Sequence, residues 1–216
     1  MPKDCVIFDL RGTLTERKPA HSFLGAAAHH EGAATLVVGG AHRCLKTARQ
    51  LKRKVTDRQL IPDAFKQAVW TGISKLDPEA AAILRVLREE RFTALLSNDP
   101  PPLGERAVKY NGITELFDIV RFSKNRDEAK PNPVGLQAII SEICMDDGIT
   151  FMVGDRASDM LVAFNAAQIT GRSVIPIARA PDTEAALYLG SLSSQSGHVL
   201  EHGLPQLPDL IRDITR

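Results

Sequence analysis

Short apolar runs alternate with helical patterns along most of the chain. Five runs, at residues 5–10, 93–97, 119–122, 150–155 and 173–178, have the length and the continuous apolar character of strands that are buried on both faces. Each of the last four runs follows a pattern with helical spacing. This alternation predicts right-handed βαβ units, and therefore an α/β fold whose parallel sheet is covered by helices on both sides.

Proline signals place the starts of two of these helices. Asp77-Pro78 provides an N-cap residue and a first-turn proline ahead of an apolar stripe at helical spacing. Asn132-Pro133 gives the same signal before a second stripe. We therefore expect one helix to start directly after Asp77 and another at Pro133.

Residues 17–76 interrupt the alternation, because they lie between the first two predicted strands and have a mostly helical pattern. We expect a core formed by residues 1–16 and 77–216, with residues 17–76 inserted as a helical subdomain. Lysines and arginines are concentrated at residues 43–54, which favours a solvated helix face over contact with an anionic substrate. The histidines of this segment are interpreted as surface residues, with a substrate contact as the alternative: His21, His29 and His30.

Composition and charge exclude several classes of protein. Hydrophobic residues make up 44% of the chain and charged residues 25%, as in soluble globular proteins. The formal net charge of +1 gives no general attraction for nucleic acid or anionic lipid, and no apolar run has the length of a membrane span or the pattern of a signal peptide. We expect a cytoplasmic monomer or homodimer without a nucleic-acid or membrane partner. Cys5, Cys44 and Cys144 lack the spacing of a metal site and are predicted to be buried thiols.

Polar residues stand at the carboxyl ends of the predicted strands, where open parallel sheets bind their ligands. Asp9 ends the first strand and Ser97 the second, while Lys130 precedes the helix that starts at Pro133. A carboxylate, a hydroxyl and an ammonium suit phosphoryl transfer. Asp9 could attack phosphorus, and Ser97 and Lys130 could bind the phosphate oxygens.

A second acidic group follows the fourth predicted strand. Asp155 and Asp159 could hold Mg²⁺, which prefers carboxylate ligands. Gly12 and Gly154 would allow the backbone to approach a ligand closely. Each aspartate taken alone is also explained by a helix or turn cap, so the prediction depends on the whole set in its order along the chain.

Four segments resemble, in order, the motifs of the haloacid dehalogenase superfamily: residues 8–14 (FDLRGTL), 95–98 (LLSN), 130–133 (KPNP) and 153–159 (VGDRASD). The ending at residues 204–211 is similar to that of phosphoglycolate phosphatase-like members. The resemblance implies a Rossmann-like core with a C1-type helical cap at the insertion. It also implies a Mg²⁺-dependent phosphatase-type hydrolase that acts on a small phosphorylated metabolite through an aspartyl-phosphate.

The resemblance assigns roles to individual residues. The catalytic positions are Asp9, Arg11, Ser97 and Lys130. The positions that bind the phosphorylated substrate are Gly12, Thr13, Ser97, Asn98 and Lys130. The positions that hold Mg²⁺ are Asp9, Arg11 through its backbone carbonyl, Asp155 and Asp159.

Arg11 departs from the family pattern. The residue at this position is normally a second aspartate, which protonates the leaving group and later activates water. Arginine stays protonated and cannot shuttle a proton, and loss of a general acid/base removes on the order of 10² to 10⁴ in rate. Glu16 or a histidine of the insertion could supply the missing group.

Three interpretations of Arg11 follow. One is a phosphatase that is slow, or that acts on a substrate such as an acyl phosphate, with Arg11 pairing with phosphate oxygens. Another is a catalytically degenerate protein that binds Mg²⁺ and a phosphate ligand in a regulatory or binding role. The last, and the least favoured, is a dehalogenase or a phosphonate-cleaving enzyme; the latter would need a cap lysine from the set Lys46, Lys52, Lys54 and Lys66.

Overall fold

A parallel sheet organises the computed structural model, which describes residues 4–16, 75–143, 148–192 and 197–216. Within these residues six strands pair in the order β3-β2-β1-β4-β5-β6, all parallel. They are β1 (Cys5–Phe8), β2 (Phe92–Ser97), β3 (Ile119–Phe122), β4 (Thr150–Gly154), β5 (Val174–Ala178) and β6 (His198–Val199). The predicted α/β class with a parallel sheet is confirmed.

Helices precede β2, β3, β4 and β5, as the alternating pattern predicts. The α-helices of the described residues are α1 (Ala80–Glu90), α2 (Pro101–Tyr110), α3 (Val134–Ile143), α4 (Ala157–Thr170), α5 (Glu184–Ser191) and α6 (Leu207–Ile214). Short 3₁₀ helices occupy Thr114–Leu116 and Leu204–Gln206. None of the helices described in these residues is both long and apolar enough to cross a bilayer.

Two apolar layers, one on each face of the sheet, form the core. Val6 and Phe8 of β1 pack in the layer that includes Leu84 of α1, while Cys5 and Ile7 pack in the layer that includes residues of α3 and α4. Successive side chains of a strand point to opposite faces. Because both faces are buried, the strands are apolar at nearly every position rather than at every second one.

Several boundaries differ from the prediction. β1 ends at Phe8 and β4 at Gly154, so Asp9 and Asp155 lie in the loops that follow. The helix expected directly after Asp77 is regular from Ala80, and the Asp77 carboxylate accepts a hydrogen bond from the Glu79 N–H (3.0 Å), as a helix-capping residue does. The other helix begins at Val134, one residue after Pro133.

The residues on either side of the predicted insertion contact each other. Thr15 and Leu76 face each other in an isolated antiparallel bridge, and the Leu76 N–H donates to the Asn111 side chain (3.1 Å). Arg179, at the end of β5, donates from Nε to the Thr13 carbonyl (3.0 Å) and pairs with Asp77. These contacts fix both connections to the sheet.

The chain divides into two units, Met1–Glu16 with Leu76–Arg216, and Arg17–Lys75. Apart from Lys75, the second unit lies outside the described residues, and with it lie the predicted helical insertion, its basic segment at residues 43–54, its histidines and Cys44. Cys144 also lies outside them. Cys5 is buried, as predicted.

Candidate functional site

The loop after β1 carries Asp9 at the carboxyl edge of the sheet. The Asp9 N–H donates to the Val153 carbonyl (2.9 Å), so the residue continues the pairing with β4 before the chain turns away. Gly12 has φ +79°, and a Cβ there would lie 2.4 Å from Oδ2 of Asp155. The turn therefore requires glycine both for its backbone angle and for its contact with Asp155.

Lys130 is the centre of a buried ionic network. Its Nζ contacts Oδ1 of Asp9 (2.5 Å) and Oδ1 of Asp159 (2.7 Å), and it donates to the Leu96 carbonyl (3.0 Å). All three charged side chains are at most 10% exposed. We call these residues the Lys130 cluster: Lys130, Asp9 and Asp159.

Asn98 positions Lys130 from the end of β2. Its Oδ1 accepts the Lys130 N–H (2.8 Å), and its Nδ2 donates to the Lys130 carbonyl (3.0 Å). The Ser123 hydroxyl donates to the same Oδ1 (3.2 Å), and the Lys130–Pro131 peptide is cis. One side-chain amide thus holds the backbone of the loop that carries the ammonium.

Asp159 holds the loop between β4 and α4. Its Oδ2 accepts the N–H groups of Asp155 (3.2 Å) and Arg156 (3.0 Å), as an acidic residue in the first turn of a helix commonly does. A Cβ at Gly154 would lie 2.2 Å from Cβ of Asp159. Glycine at 154 therefore allows the Asp159 carboxylate to reach both the loop and Lys130.

Three buried carboxylates lie close enough to share a cation. One oxygen from each of Asp9, Asp155 and Asp159 lies within 4.8 Å of the others. Lys130 supplies a single positive charge against these three carboxylates. Hard oxygen donors and an excess of negative charge fit Mg²⁺, which takes carboxylate ligands and compensates such charge.

Burial shifts the ionisation of this network. Loss of hydration, opposed by Lys130 and reinforced by Asp159 and Asp155, raises the pKa of Asp9 from 3.8 to about 7. Burial alone would lower the pKa of Lys130, but Asp9 and Asp159 outweigh it and the pKa of the ammonium is raised. Lys130 is therefore charged at neutral pH, whereas Asp9 is poised between its two forms.

A pocket of about 170 Å³ opens beside the network. Its wall consists of Asp9, Arg11, Ser97, Asn98, Asp99, Lys130, Arg156, Ser158 and Asp159. The structure thus brings together the predicted residues of three strand ends. Gly12, Thr13 and Asp155 do not line the pocket; Thr13 and Asp155 are both buried, and Asp155 belongs to the acidic group with Asp9 and Asp159. Glu16, considered above as a substitute acid/base, does not line this pocket either.

Arg11 pairs with a residue that the sequence analysis did not single out. Its Nε lies 2.7 Å from both carboxylate oxygens of Asp99, and the Asp99 N–H donates to Oγ of Ser97 (3.2 Å). The Asp99 side chain is 13% exposed and that of Arg11 34%. We call these two residues the Arg11–Asp99 pair. Asp99 directly follows the LLSN segment, and Arg156 and Ser158 lie inside VGDRASD, so adjacency to the motifs was the available signal.

The chain belongs to the haloacid dehalogenase-like hydrolases, because the model of that family matches residues 3–167. The phosphoglycolate phosphatase of Vibrio vulnificus strain YJ016 is 32% identical over 112 residues, which are 50% of this chain and 48% of that enzyme. The chain thus spans about half the length of that relative. The phosphoglycolate phosphatase of Vibrio parahaemolyticus is 28% identical over 181 residues, 74% of this chain and 79% of that enzyme.

Solved structures agree with the fold. The haloacid dehalogenase-superfamily hydrolase from Ehrlichia chaffeensis superposes with a TM-score of 0.59 at 17% identity and covers 100% of both chains. This likeness confirms the Rossmann-like core, and the family-model match confirms the predicted family.

Proposed function

We propose that the protein is a Mg²⁺-dependent phosphohydrolase that transfers the phosphoryl group of a small phosphorylated metabolite first to Asp9 and then to water. The observation that carries this proposal is the position of Asp9, which pairs with Lys130, lies close to Asp155 and Asp159, and lines a pocket together with Ser97. The phosphoglycolate phosphatases among the relatives support the class of substrate.

In the first half-reaction, Asp9 acts as the nucleophile. Lys130 holds Oδ1 of Asp9 at 2.5 Å, which leaves Oδ2 to attack phosphorus. The bond from phosphorus to the leaving oxygen breaks, and its electron pair goes to the leaving group. The Ser97 hydroxyl and the Lys130 ammonium bind the phosphoryl oxygens, on which negative charge is spread in the transition state.

The acidic group would hold the metal. Asp9, Asp155 and the backbone carbonyl of Arg11 are the proposed ligands, with Asp159 in support, and bound Mg²⁺ would supply positive charge to the phosphoryl oxygens. Gly12 and Thr13 are assigned the task of shaping the loop around the phosphate, with Gly12 in contact with Asp155. Asn98 acts on the substrate through Lys130, whose backbone it holds.

We also propose that residues 1–16 and 77–216 are the catalytic core, that residues 17–76 are a helical cap, and that the protein works in the cytoplasm as a monomer or homodimer. Limited proteolysis tests the division, since two units that fold separately should give a stable core fragment after cuts within residues 17–75, beyond the bridge between Thr15 and Leu76. Light scattering measures the oligomeric state.

The direct test is release of inorganic phosphate from p-nitrophenyl phosphate, acetyl phosphate and sugar phosphates, with Mg²⁺ or with EDTA. We expect Mg²⁺-dependent release that Asp9→Asn abolishes and Asp209→Asn leaves unchanged. Asp209 is a suitable control because it is also an aspartate paired with a basic side chain, that of Arg212, but on the exposed face of α6. Equal release by Asp9→Asn would remove Asp9 as nucleophile. Binding of Mg²⁺ and phosphate without any release would favour the binding protein.

A further inference from the structure

The carboxylate that is missing at position 11 is present in the same pocket on a different loop. β1 and β2 are neighbours in the sheet, so the loops that follow them lie side by side. Arg11 extends from the first loop and binds Asp99 on the second. Both residues line the pocket with Asp9.

Asp99 differs from the other carboxylates of this wall. Among the residues described on it, the carboxylates are Asp9, Asp99 and Asp159. Asp9 and Asp159 both contact Lys130, so they are committed to the buried network. Asp99 contacts Arg11 instead, whose side chain is 34% exposed, and it lines the pocket with Arg11.

Two attachments fix the position of Asp99. Both of its carboxylate oxygens lie 2.7 Å from Nε of Arg11, and its own N–H donates to the hydroxyl oxygen of Ser97. Ser97 is the hydroxyl assigned to the phosphate. The carboxylate is therefore held at a set position relative to the group that would bind the phosphoryl oxygens, which is what a catalytic acid or base requires.

We propose that Asp99 is the general base of the second half-reaction and that Arg11 is the residue that positions it. The proposal rests on the phosphohydrolase function proposed above. As water attacks phosphorus, an Asp99 oxygen takes one of its protons and the new P–O bond forms. The bond between phosphorus and Oδ2 of Asp9 breaks, its electron pair returns to Asp9, and inorganic phosphate leaves. The proton on Asp99 then passes to solvent.

The same arrangement limits the first half-reaction. An ionised aspartate accepts protons and has none to give, and arginine does not release one. The leaving group then departs without protonation, so the preferred substrates are those whose leaving group is stable as an anion, such as acyl phosphates. Alkyl phosphates, which release an alkoxide, are poor substrates.

The test separates the two half-reactions with acetyl [³²P]phosphate and rapid mixing. In Asp99→Asn we expect labelling of Asp9 at close to the wild-type rate, while steady-state release of phosphate falls by about 10² to 10⁴. The labelled enzyme therefore accumulates. Arg11→Gln removes the partner of Asp99 but keeps its carboxylate. This variant should also raise the ratio of the labelling rate to the release rate, but by a smaller factor than Asp99→Asn. Asp209→Asn should behave as wild type.

A second variant tests the replacement directly. Arg11→Asp combined with Asp99→Asn places the carboxylate at the family position, and we expect release to recover above that of Asp99→Asn alone. Wild-type release in Asp99→Asn, or a parallel loss of labelling and release, would overturn the role of Asp99 while leaving Asp9 as nucleophile. If wild type is never labelled, or Asp9→Asn still is, the phosphohydrolase proposal fails and the role of Asp99 fails with it.

Discussion

The Lys130 cluster and the Arg11–Asp99 pair lie on the wall of one pocket, but the basic side chain is buried in the first and partly exposed in the second. Lys130 is 2% exposed and its two carboxylate partners at most 10%, whereas Arg11 is 34% exposed and Asp99 13%. In the buried cluster each charge has lost its hydration and depends on its neighbours. In the pair, water and salt screen the attraction, so its contribution to stability is small. The Lys130 cluster thus stabilises the loops at the strand ends. The Arg11–Asp99 pair can be changed with only a small loss in the free energy of unfolding.

The largest expected effect comes from removing the central cation. Lys130→Met leaves Asp9 and Asp159 buried without their shared partner, which should lower the free energy of unfolding by about 3–5 kcal/mol. Arg11→Met, the matched change in the partly exposed pair, should cost less, about 1 kcal/mol. Urea unfolding at neutral pH measures both. Equal losses in the two variants would contradict the contrast between the networks.

The next effect concerns the pH dependence of stability. Because the pKa of Asp9 is raised from 3.8 to about 7 on folding, the protonated form stabilises the fold, and that contribution is lost as the pH rises through this interval. The Asn variant at position 9 does not ionise. We expect Asp9→Asn and wild type to have similar free energies of unfolding near pH 4. Toward pH 7 the variant should become the more stable of the two, by at most about 4 kcal/mol, and the difference should stay constant above pH 7.

Metal-free protein in EDTA, unfolded by urea across this pH range, gives the measurement. Added Mg²⁺ should then stabilise wild type more than Asp9→Asn, because binding requires the ionised carboxylate. A stability difference that does not vary with pH would argue against a raised pKa for Asp9.

The smallest of these effects tests the glycine that faces the acidic group. At Gly12 a Cβ would overlap the Asp155 carboxylate and φ is +79°, so Gly12→Ala should cost about 1–3 kcal/mol and weaken Mg²⁺ binding. Gly190→Ala is the control, since no atom lies within 4 Å of its Cβ position in α5. Alanine there should be neutral or stabilising by about 1 kcal/mol. Thermal unfolding and titration with Mg²⁺ distinguish the two variants.

Much of the fold and part of the site could be predicted because they follow from local sequence. Strands buried on both faces appear as continuous apolar runs, and their carboxyl ends located Asp9 and Ser97. Lys130 was expected just before the helix at Pro133, and all three residues line one pocket. The start of α1 was predicted to within two residues, but the ion pair of Asp77 with Arg179, which lies 102 positions away along the chain, was not predicted. β6 has only two residues and leaves no pattern.

The Arg11–Asp99 pair could not be predicted for a related reason. The residues Asn98, Asp99 and Pro100 have the composition of an ordinary turn, and nothing local indicates that Asp99 faces a guanidinium 88 positions away. The pairing depends on which strands are neighbours in the sheet and on how far their loops extend. Sequence patterns locate the strand ends, but the contacts between adjacent loops require the fold.

The bridge between Thr15 and Leu76 bears on how such proteins diversify. The chain leaves the core after Thr15 and returns opposite it, and Arg179 fastens both connections to β5. The two connections are therefore held next to each other where the inserted segment begins and ends. A short turn could join the two connections, and a different segment could be grafted there, without rebuilding the strand ends. Natural recombination and protein engineering could thus exchange the inserted segment while inheriting an unaltered catalytic edge.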